Sequence, residues 1–325
     1  MTGRWARAYR ALEPLRTHAR SDGQTQHVIE EVAIVKLGRR AFLQAAAAAG
    51  LGTVVHPDVG FAQSFLPKKK SAVDRVTLGR TGIKVSRVAM GSGTRGWGGH
   101  SDQTRMGPDQ LTRLWRYGFD EGLNFWEAAD QYGSHPYIAK GLKEVDRSKL
   151  VILTKTNSES ADGIRKDLDR FRKELQTDYI DIVLLHAITD GEWTKNLRPA
   201  MDALSEAKQK GIIKAHGVSC HSLYALRAAA ESPWVDVDLA RINPAGVAMD
   251  ARPDVVISVL EKMKAAGKGV LGMKIFGQGE LSDSPDRALK HATQLQCLDA
   301  FTIGFMSAKQ VDDVIRRIPV VSAAA

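Results

Sequence analysis

The chain has 325 residues but only two cysteines, Cys220 and Cys297. Two are too few for a disulfide framework, and no Cys/His spacing matches a zinc site. It also lacks any run of the roughly 20 apolar residues that a membrane-spanning helix needs. There is no Arg-rich arm and no basic stripe interleaved with aromatics. The 46 Lys and Arg are spread along the chain, so the net charge of +9 leaves no footprint of nucleic-acid binding. What is present is an ordinary globular composition, 43% hydrophobic and 26% charged. The length suits two domains or a single α/β barrel of about 250 residues, and either buries an ample core.

Met1 to Lys36 is polar and without sustained periodicity. It is followed by Gly38-Arg-Arg-Ala-Phe-Leu-Gln44, a mildly apolar run from Ala45 to Val55, and a small-residue exit at Gly60-Phe61-Ala62. Paired arginines, a moderate apolar run and a small-residue exit are the layout of an export signal. The Arg-Arg-x-Phe-Leu core resembles a twin-arginine signal. It implies that Arg39 and Arg40 engage the export machinery and that the protein is periplasmic. The competing reading is a short Ala-rich helix packed on the body of a cytoplasmic protein. The expected organisation is an extension and signal over 1–62, a Lys-rich linker over 63–73, one domain over 74–320 and a tail over 321–325.

Within that domain, hydrophobic periodicity alternates between strand and helix. A hairpin with a Gly-bearing turn is expected from Val76 to Ser86, with its second arm running on as a strand to Met90. Seven more strands are expected at 123–127, 150–155, 179–185, 212–218, 235–242, 269–275 and 298–303. Helical patterns follow them, at 108–120 after the first strand, then 136–143, 162–175, 198–210, 223–231, 254–266, 285–294 and 308–317. Pro108 suits a helix start and Gly267 a helix stop. Eight strand–helix units at this spacing imply a parallel sheet closed into a (β/α)8 TIM barrel behind a short N-terminal β-hairpin. Gly91-Ser-Gly-Thr-Arg-Gly96 has the spacing of a dinucleotide fingerprint. That motif requires a helix to open within the glycines. Here the glycines run on through Gly98 and Gly99, so the stretch reads as the first loop of a barrel mouth.

Chemistry in such barrels sits at the C-terminal ends of the strands. This chain places there Glu127, Asp130 and Tyr132, then Lys155, then His186, then Ser219, Cys220 and His221, then Asn243, Lys274, Gly304 and Ser307. A tyrosine is a weak acid with a pKa of about 10. A neighbouring lysine would pull that value down, a carboxylate would hold the lysine, and a histidine would orient a carbonyl oxygen. Such a set suits protonation of an oxygen on which charge develops as hydride arrives. Taken singly, a lysine at a strand end is often an ion-paired surface group, and a histidine is often a satisfied core residue. A hydrolase or isomerase using Glu127 and Asp130 as paired carboxylates is a further reading of the same loop. Trp97 and Trp193, in the long mouth loops Gly93 to Gly107 and Ala187 to Asn196, suggest contact with apolar or sugar-like surface.

The stretch from about Val73 to Ile318 resembles the aldo-keto reductase family. The matching segments are Asn124-Phe-Trp-Glu-Ala-Ala-Asp-Gln-Tyr-Gly133, Val151-Ile-Leu-Thr-Lys155, Asp178-Tyr-Ile-Asp-Ile-Val-Leu-Leu-His186, Gly217-Val-Ser-Cys220 and the hairpin Leu78 to Ser86. The resemblance implies NAD(P)-dependent oxidoreduction of a small carbonyl or alcohol. Tyr132 would be the proton donor, Lys155 its activator, His186 the orienting group and Glu127 the tetrad carboxylate, one methylene longer than the family's aspartate. It also implies NADP or NAD bound along Gly93, Thr94, Ser219, Cys220, Asn243, Lys274, Gly304, Ser307, Gln310 and Asp313. The family's usual Asn is replaced by Cys220, a frequent glutamine by Leu239, and the usual 2′-phosphate contacts after the eighth strand are missing. A nicotinamide-binding barrel serving as a redox sensor or partner subunit is the alternative reading. No metal site is expected.

Overall fold

The computed structural model describes residues 69–323, and the export-signal stretch around Arg39 and Arg40 lies outside the described residues. Two short strands, β1 (Arg75–Thr77) and β2 (Lys84–Ser86), pair antiparallel with Val76 opposite Val85. Eight parallel strands then close into a barrel: β3 (Val88–Gly91), β4 (Phe125–Glu127), β5 (Val151–Thr156), β6 (Ile180–Ile188), β7 (Ile213–Cys220), β8 (Val237–Arg241), β9 (Gly269–Met273) and β10 (Ala300–Ile303). Closure is made by β10 on β3, with Phe301 against Val88 and Ile303 against Met90. The (β/α)8 barrel expected from the sequence is present, with its hairpin.

Alternation along the strands builds two cores. Ala89, Phe125, Val151, Leu153, Ile182, Leu184, Ala215, Val237, Leu239, Leu271 and Ala300 fill the interior. Met90, Trp126, Ile152, Val183, Leu185, Val218, Ala240, Ile242 and Phe301 face outward against the helices. The interior cluster also takes in Leu78, Ile83 and Val85, so the hairpin plugs the N-terminal end and leaves the C-terminal end for chemistry. The helices bury the stripes their spacing demands, such as Leu111, Leu114, Trp115 and Gly118 on Pro108–Asp120, and Ile164, Leu168, Phe171 and Leu175 on Ala161–Leu175. Among the described residues no helix is long and apolar enough to cross a membrane.

Some details depart from the sequence expectation. The strand expected to run unbroken from the hairpin to Met90 divides at Arg87, whose N–H donates to Asp74 O and whose guanidinium pairs with Asp74. The hairpin and the barrel need different strand directions, and Arg87 is where the chain turns from one to the other. The stretch read as a linker is partly built in: Ala72 is fully buried and the Lys70 ammonium donates to Thr293 O at 2.5 Å. The last helix spans Ala308–Ala323 and passes through Pro319, beyond the expected stop at Arg317. Burial of Ile318 and Val321, together with the Lys70 N–H bond to Ser322 Oγ, offsets the hydrogen bond that Pro319 cannot donate.

Candidate active site

The period of two decides which side chains meet at the mouth. On β4, Phe125 faces the interior, so Glu127 does too. On β5 the inward series is Val151, Leu153, Lys155, and on β6 it is Ile182, Leu184, His186. Parallel pairing sets these ends side by side, with Glu127 opposite Leu153 and Lys155 opposite Leu184. Tyr132 arrives from a single 3-10 turn, Asp130–Tyr132, immediately after β4.

The four groups expected to act together are together. Lys155 is fully buried, is ion-paired with Glu127 Oε1, and donates to Ala128 O at 2.8 Å. Its ammonium lies 3.5 Å from Tyr132 Oη and 4.7 Å from the tyrosine ring centroid. Tyr132 Oη is 3.4 Å from His186 Nε2, and the two rings meet edge to face at 83°. The second Glu127 oxygen accepts from Thr302 Oγ1 at 3.2 Å. Room for the longer carboxylate comes from Gly91, where an added Cβ would stand 2.6 Å from Thr302 Oγ1 and 3.1 Å from Glu127 Oε2. Thr302 and Gly91 were not foreseen as site residues. Parity marks them, since Gly91 is two residues past Ala89 and Thr302 two past Ala300 on the inward face.

The electrostatics correct one expectation. Lysine was to lower the tyrosine pKa; instead burial, with the Glu127 charge added, raises Tyr132 well above its ordinary value. The reason is geometric: the ring is buried, and that burial outweighs what an ammonium already held by Glu127 and Ala128 offers the phenol. Burial also lowers Lys155, opposed by Glu127. His186 is held well below its ordinary value by burial and by the charges of Lys155 and His221, so it is a neutral imidazole. Asp130 is not a partner of Glu127: both its oxygens bind Arg170, at 2.7 and 2.8 Å. The two carboxylates serve different cations, which removes the paired-carboxylate reading.

The cofactor positions divide into those free to bind and those already occupied. Ser219 faces inward and accepts from the Ala187 N–H at 2.9 Å, leaving its own proton to donate. Lys274 is half-buried in the left-handed region (φ 59°). No hydrogen bond or ion pair of its ammonium is described, and burial, with Arg241 beside it, lowers its pKa. An anion such as a pyrophosphate would complement that cation.

Other assignments are corrected. Cys220 shares the outward face of β7 with Val218, is fully buried, and its thiol donates to Asp238; one residue of parity turns it away from the mouth. Asn243 is spent on its own loop, donating to Val247 O and Lys274 O and accepting from the Ala245 and Val247 N–H groups. Gly93 is bare because of Tyr132: a Cβ there would lie 2.2 Å from the phenol ring, and one at Gly96 2.3 Å from it. At Gly304 a Cβ would meet Thr94 Oγ1 at 2.1 Å, and Thr94 is itself clamped to Gln103 through both its N–H and its hydroxyl. Ser307 caps the Gln310 N–H, and Gln310 Oε1 accepts from Met306 N–H. Asp313 is paired with Arg316 and Arg317. Trp193, taken for a mouth residue, is fully buried with its indole N–H on Ala225 O, whereas Trp97 is 73% exposed. Asp130, His135 and Glu174 lie close enough to share a cation; Arg170 already engages both carboxylates, and His135 is held by Glu174 and Thr154.

Comparison with known proteins bears on the fold and the family. Residues 89–310 match the model of the Aldo/keto reductase family. L-Galactose dehydrogenase of Arabidopsis thaliana is 32% identical over 156 residues, covering 44% of this chain and 47% of that protein. The chain thus spans about half the length of the curated relatives it matches. Among solved structures, a Pseudomonas aeruginosa protein assigned to the aldo-keto reductases superposes with a TM-score of 0.65 at 21% identity, covering 80% of this chain and 99% of its own. A Bombyx mori aldo-keto reductase in complex with NADP superposes at 0.58 with 15% identity, covering 76% and 91%. At these identities the structural likeness speaks for the fold.

Proposed function

Since the chain belongs to the aldo/keto reductase family, we propose that it is a nicotinamide-dependent oxidoreductase acting on a small carbonyl or alcohol, with Tyr132 as the proton donor and acceptor. The observation that carries the proposal is the convergence of Lys155 Nζ and His186 Nε2 on Tyr132 Oη, at 3.5 and 3.4 Å. A nicotinamide dinucleotide supplies the hydride when bound. Tyr132, with its pKa raised by burial, keeps its proton at neutral pH and delivers it to the carbonyl oxygen as that oxygen becomes anionic. Neutral His186 offers an N–H to orient the same oxygen. Lys155, held by Glu127, offers its charge to the phenolate formed on proton transfer. Ser219 and Lys274 are the residues proposed to hold the dinucleotide, with the choice between NADP and NAD left to the same experiment.

The test is a cofactor-dependent absorbance change with a panel of simple aldehydes. Turnover should appear in the native protein with one of the two nucleotides and fall by about 10²–10⁴-fold in Tyr132→Phe. Undiminished activity in that variant removes Tyr132 from the mechanism, and tight nucleotide binding without turnover favours the sensor reading. We extend the proposal to location: Arg39-Arg40 and the following apolar run direct export by the twin-arginine route, which carries folded proteins with cofactor already bound. N-terminal sequencing of exported protein should begin after the signal. An intact Met1 on cytoplasmic protein removes this part.

A further inference from the structure

We propose that Arg170 is a positioning residue for the proton donor: acting through Asp130, its guanidinium fixes the turn that carries Tyr132 against the strand that carries Lys155. The proposal rests on Tyr132 being the donor, and it adds a group from the outer helix layer, away from the reacting atoms. Arg170 sits on the helix Ala161–Leu175, which follows β5. Its two terminal nitrogens meet both oxygens of Asp130, at 2.7 and 2.8 Å. The same nitrogens donate to Glu174 Oε1 at 3.0 Å and to Asp167 Oδ1 at 2.8 Å. All four terminal N–H donors are thus spent on three carboxylates.

Each carboxylate leads to a different part of the site. Asp130 opens the 3-10 turn Asp130–Tyr132. Two of that turn's backbone bonds are local, Tyr132 N–H to Ala129 O and Gly133 N–H to Asp130 O, and the loop after β3 adds Gly99 N–H to Gln131 O. So short a piece has little stiffness of its own, and side-chain anchors decide where the phenol stands. Asp167 Oδ2 accepts from Thr156 Oγ1 at 2.5 Å and from Ser158 Oγ at 2.7 Å. Glu174 Oε2 is 2.8 Å from His135 Nδ1, and His135 Nε2 is 2.7 Å from Thr154 Oγ1. Thr154 and Thr156 are the buried, outward neighbours of inward Lys155 on β5. One guanidinium therefore registers the turn bearing the phenol against the backbone on both sides of the ammonium. The Arg170 side chain is 41% exposed and that of Asp130 31%. Ion pairs so exposed add little to stability, whereas a planar fork fixes geometry. Without the fork, Asp130 faces carboxylates of its own sign, with an oxygen of Glu174 within 4.8 Å, and like charges that close push the turn away.

The test compares Arg170→Met with Arg165→Met, a change on the same helix at a surface pair with Glu206. In the full-length protein Arg170→Met should lower kcat for butanal by about 10- to 100-fold, with KM within about two-fold, as expected for a misplaced donor. Arg165→Met should stay native. Arg170→Lys keeps the charge but cannot span three carboxylates, so it should recover only part of kcat. Adding Asp130→Asn to Arg170→Met removes the repelled charge and should raise kcat above that of Arg170→Met. In protein labelled with 13C-tyrosine, the Tyr132 ring resonance, assigned by Tyr132→Phe, should shift in Arg170→Met and not in Arg165→Met. This last measurement needs no turnover. A Tyr132 resonance that stays in place, or a native kcat in an Arg170→Met protein that merely melts earlier, makes Arg170 a structural residue and overturns the inference. A double variant whose loss is the product of the two single losses overturns it as well, because Arg170 would then not act through Asp130. A native protein that reduces no aldehyde, with Tyr132 still displaced in Arg170→Met, overturns the reductase reading and leaves the placing of Tyr132 by Arg170 intact.

Discussion

At the scale of single residues, the site is a chain of dependence that ends at one hydroxyl. Thr302 and Gly91 seat Glu127, Glu127 holds Lys155, and Lys155 stands under Tyr132. The extra methylene of Glu127 is thus absorbed by its surroundings rather than by a shift of the lysine. Removing the carboxylate leaves a fully buried ammonium unpaired. Glu127→Ala should therefore lose about 3–5 kcal/mol of stability, read as a lower denaturant midpoint. Thr302→Val keeps the shape but leaves Glu127 Oε2 short of a donor. It should cost about 1–3 kcal/mol and lower kcat more than it raises KM, because it loosens the lysine that the phenolate needs. A Thr302→Val protein with native midpoint and native kcat would detach Thr302 from the site.

At the scale of elements, the loop after β3 is the roof of Tyr132. Gly93 and Gly96 lie against the phenol ring, the Gly99 N–H donates to Gln131 O at 2.9 Å, and exposed Trp97 sits at the loop tip. The glycine run that mimics a dinucleotide fingerprint in the sequence is there because the backbone must approach an aromatic ring closely, not because it opens a helix onto phosphate. Gly96→Ala places a methyl 2.3 Å from the ring and should push Tyr132 aside. Overpacking of this kind costs about 1–3 kcal/mol, and a misplaced donor of order 1 Å can cost about 10²-fold in rate. Melting and aldehyde turnover measured together check this. Native turnover in a destabilised Gly96→Ala protein would mean that the roof does not position the phenol.

At the scale of the whole molecule, buried titratable groups set how stability varies with pH. Burial lowers His216 to about 4 and His221 to about 3, with His186 and His291 lowered as well. A depressed histidine stabilises the fold fully above its unfolded pKa of 6.5, and that stability is lost as pH falls toward the folded value. Asp238 behaves oppositely: burial pushes it up to about 8 from 3.8. Its contribution is complete below 3.8 and is lost as pH rises to about 8, at roughly 1.4 kcal/mol per unit. Between pH 4 and 6.5 several histidines outweigh the single aspartate, so unfolding free energy should peak near pH 6.5 and decline toward pH 8. In Asp238→Asn the decline on the alkaline side should flatten, as chemical denaturation at stepped pH would reveal. An unchanged alkaline slope would show that Asp238 ionises in the fold without penalty.

What the sequence determined by itself is what depends on local period and composition. The eight strand–helix units, the N-terminal hairpin and the strand-end positions of Tyr132, Lys155, His186 and Glu127 were legible, because a strand buried on both faces and a helix with one apolar stripe write different spacings into the chain. Parity along a strand was legible too, and applied strictly it separates inward Ser219 from outward Cys220 and marks Arg241, Thr302 and Gly91. Only the tertiary structure decided where charges end up. That the ammonium of Lys155 serves Glu127 and leaves Tyr132 with a raised pKa, that Asp130 belongs to Arg170, that Asn243 and Gln310 are consumed by their own loops, and that Asp250 Oδ2 is stranded beside Arg241 all turn on distances of a few ångströms between segments remote in sequence. Coulomb and hydrogen-bond energies fall steeply over that range, and no spacing along one strand or helix encodes them.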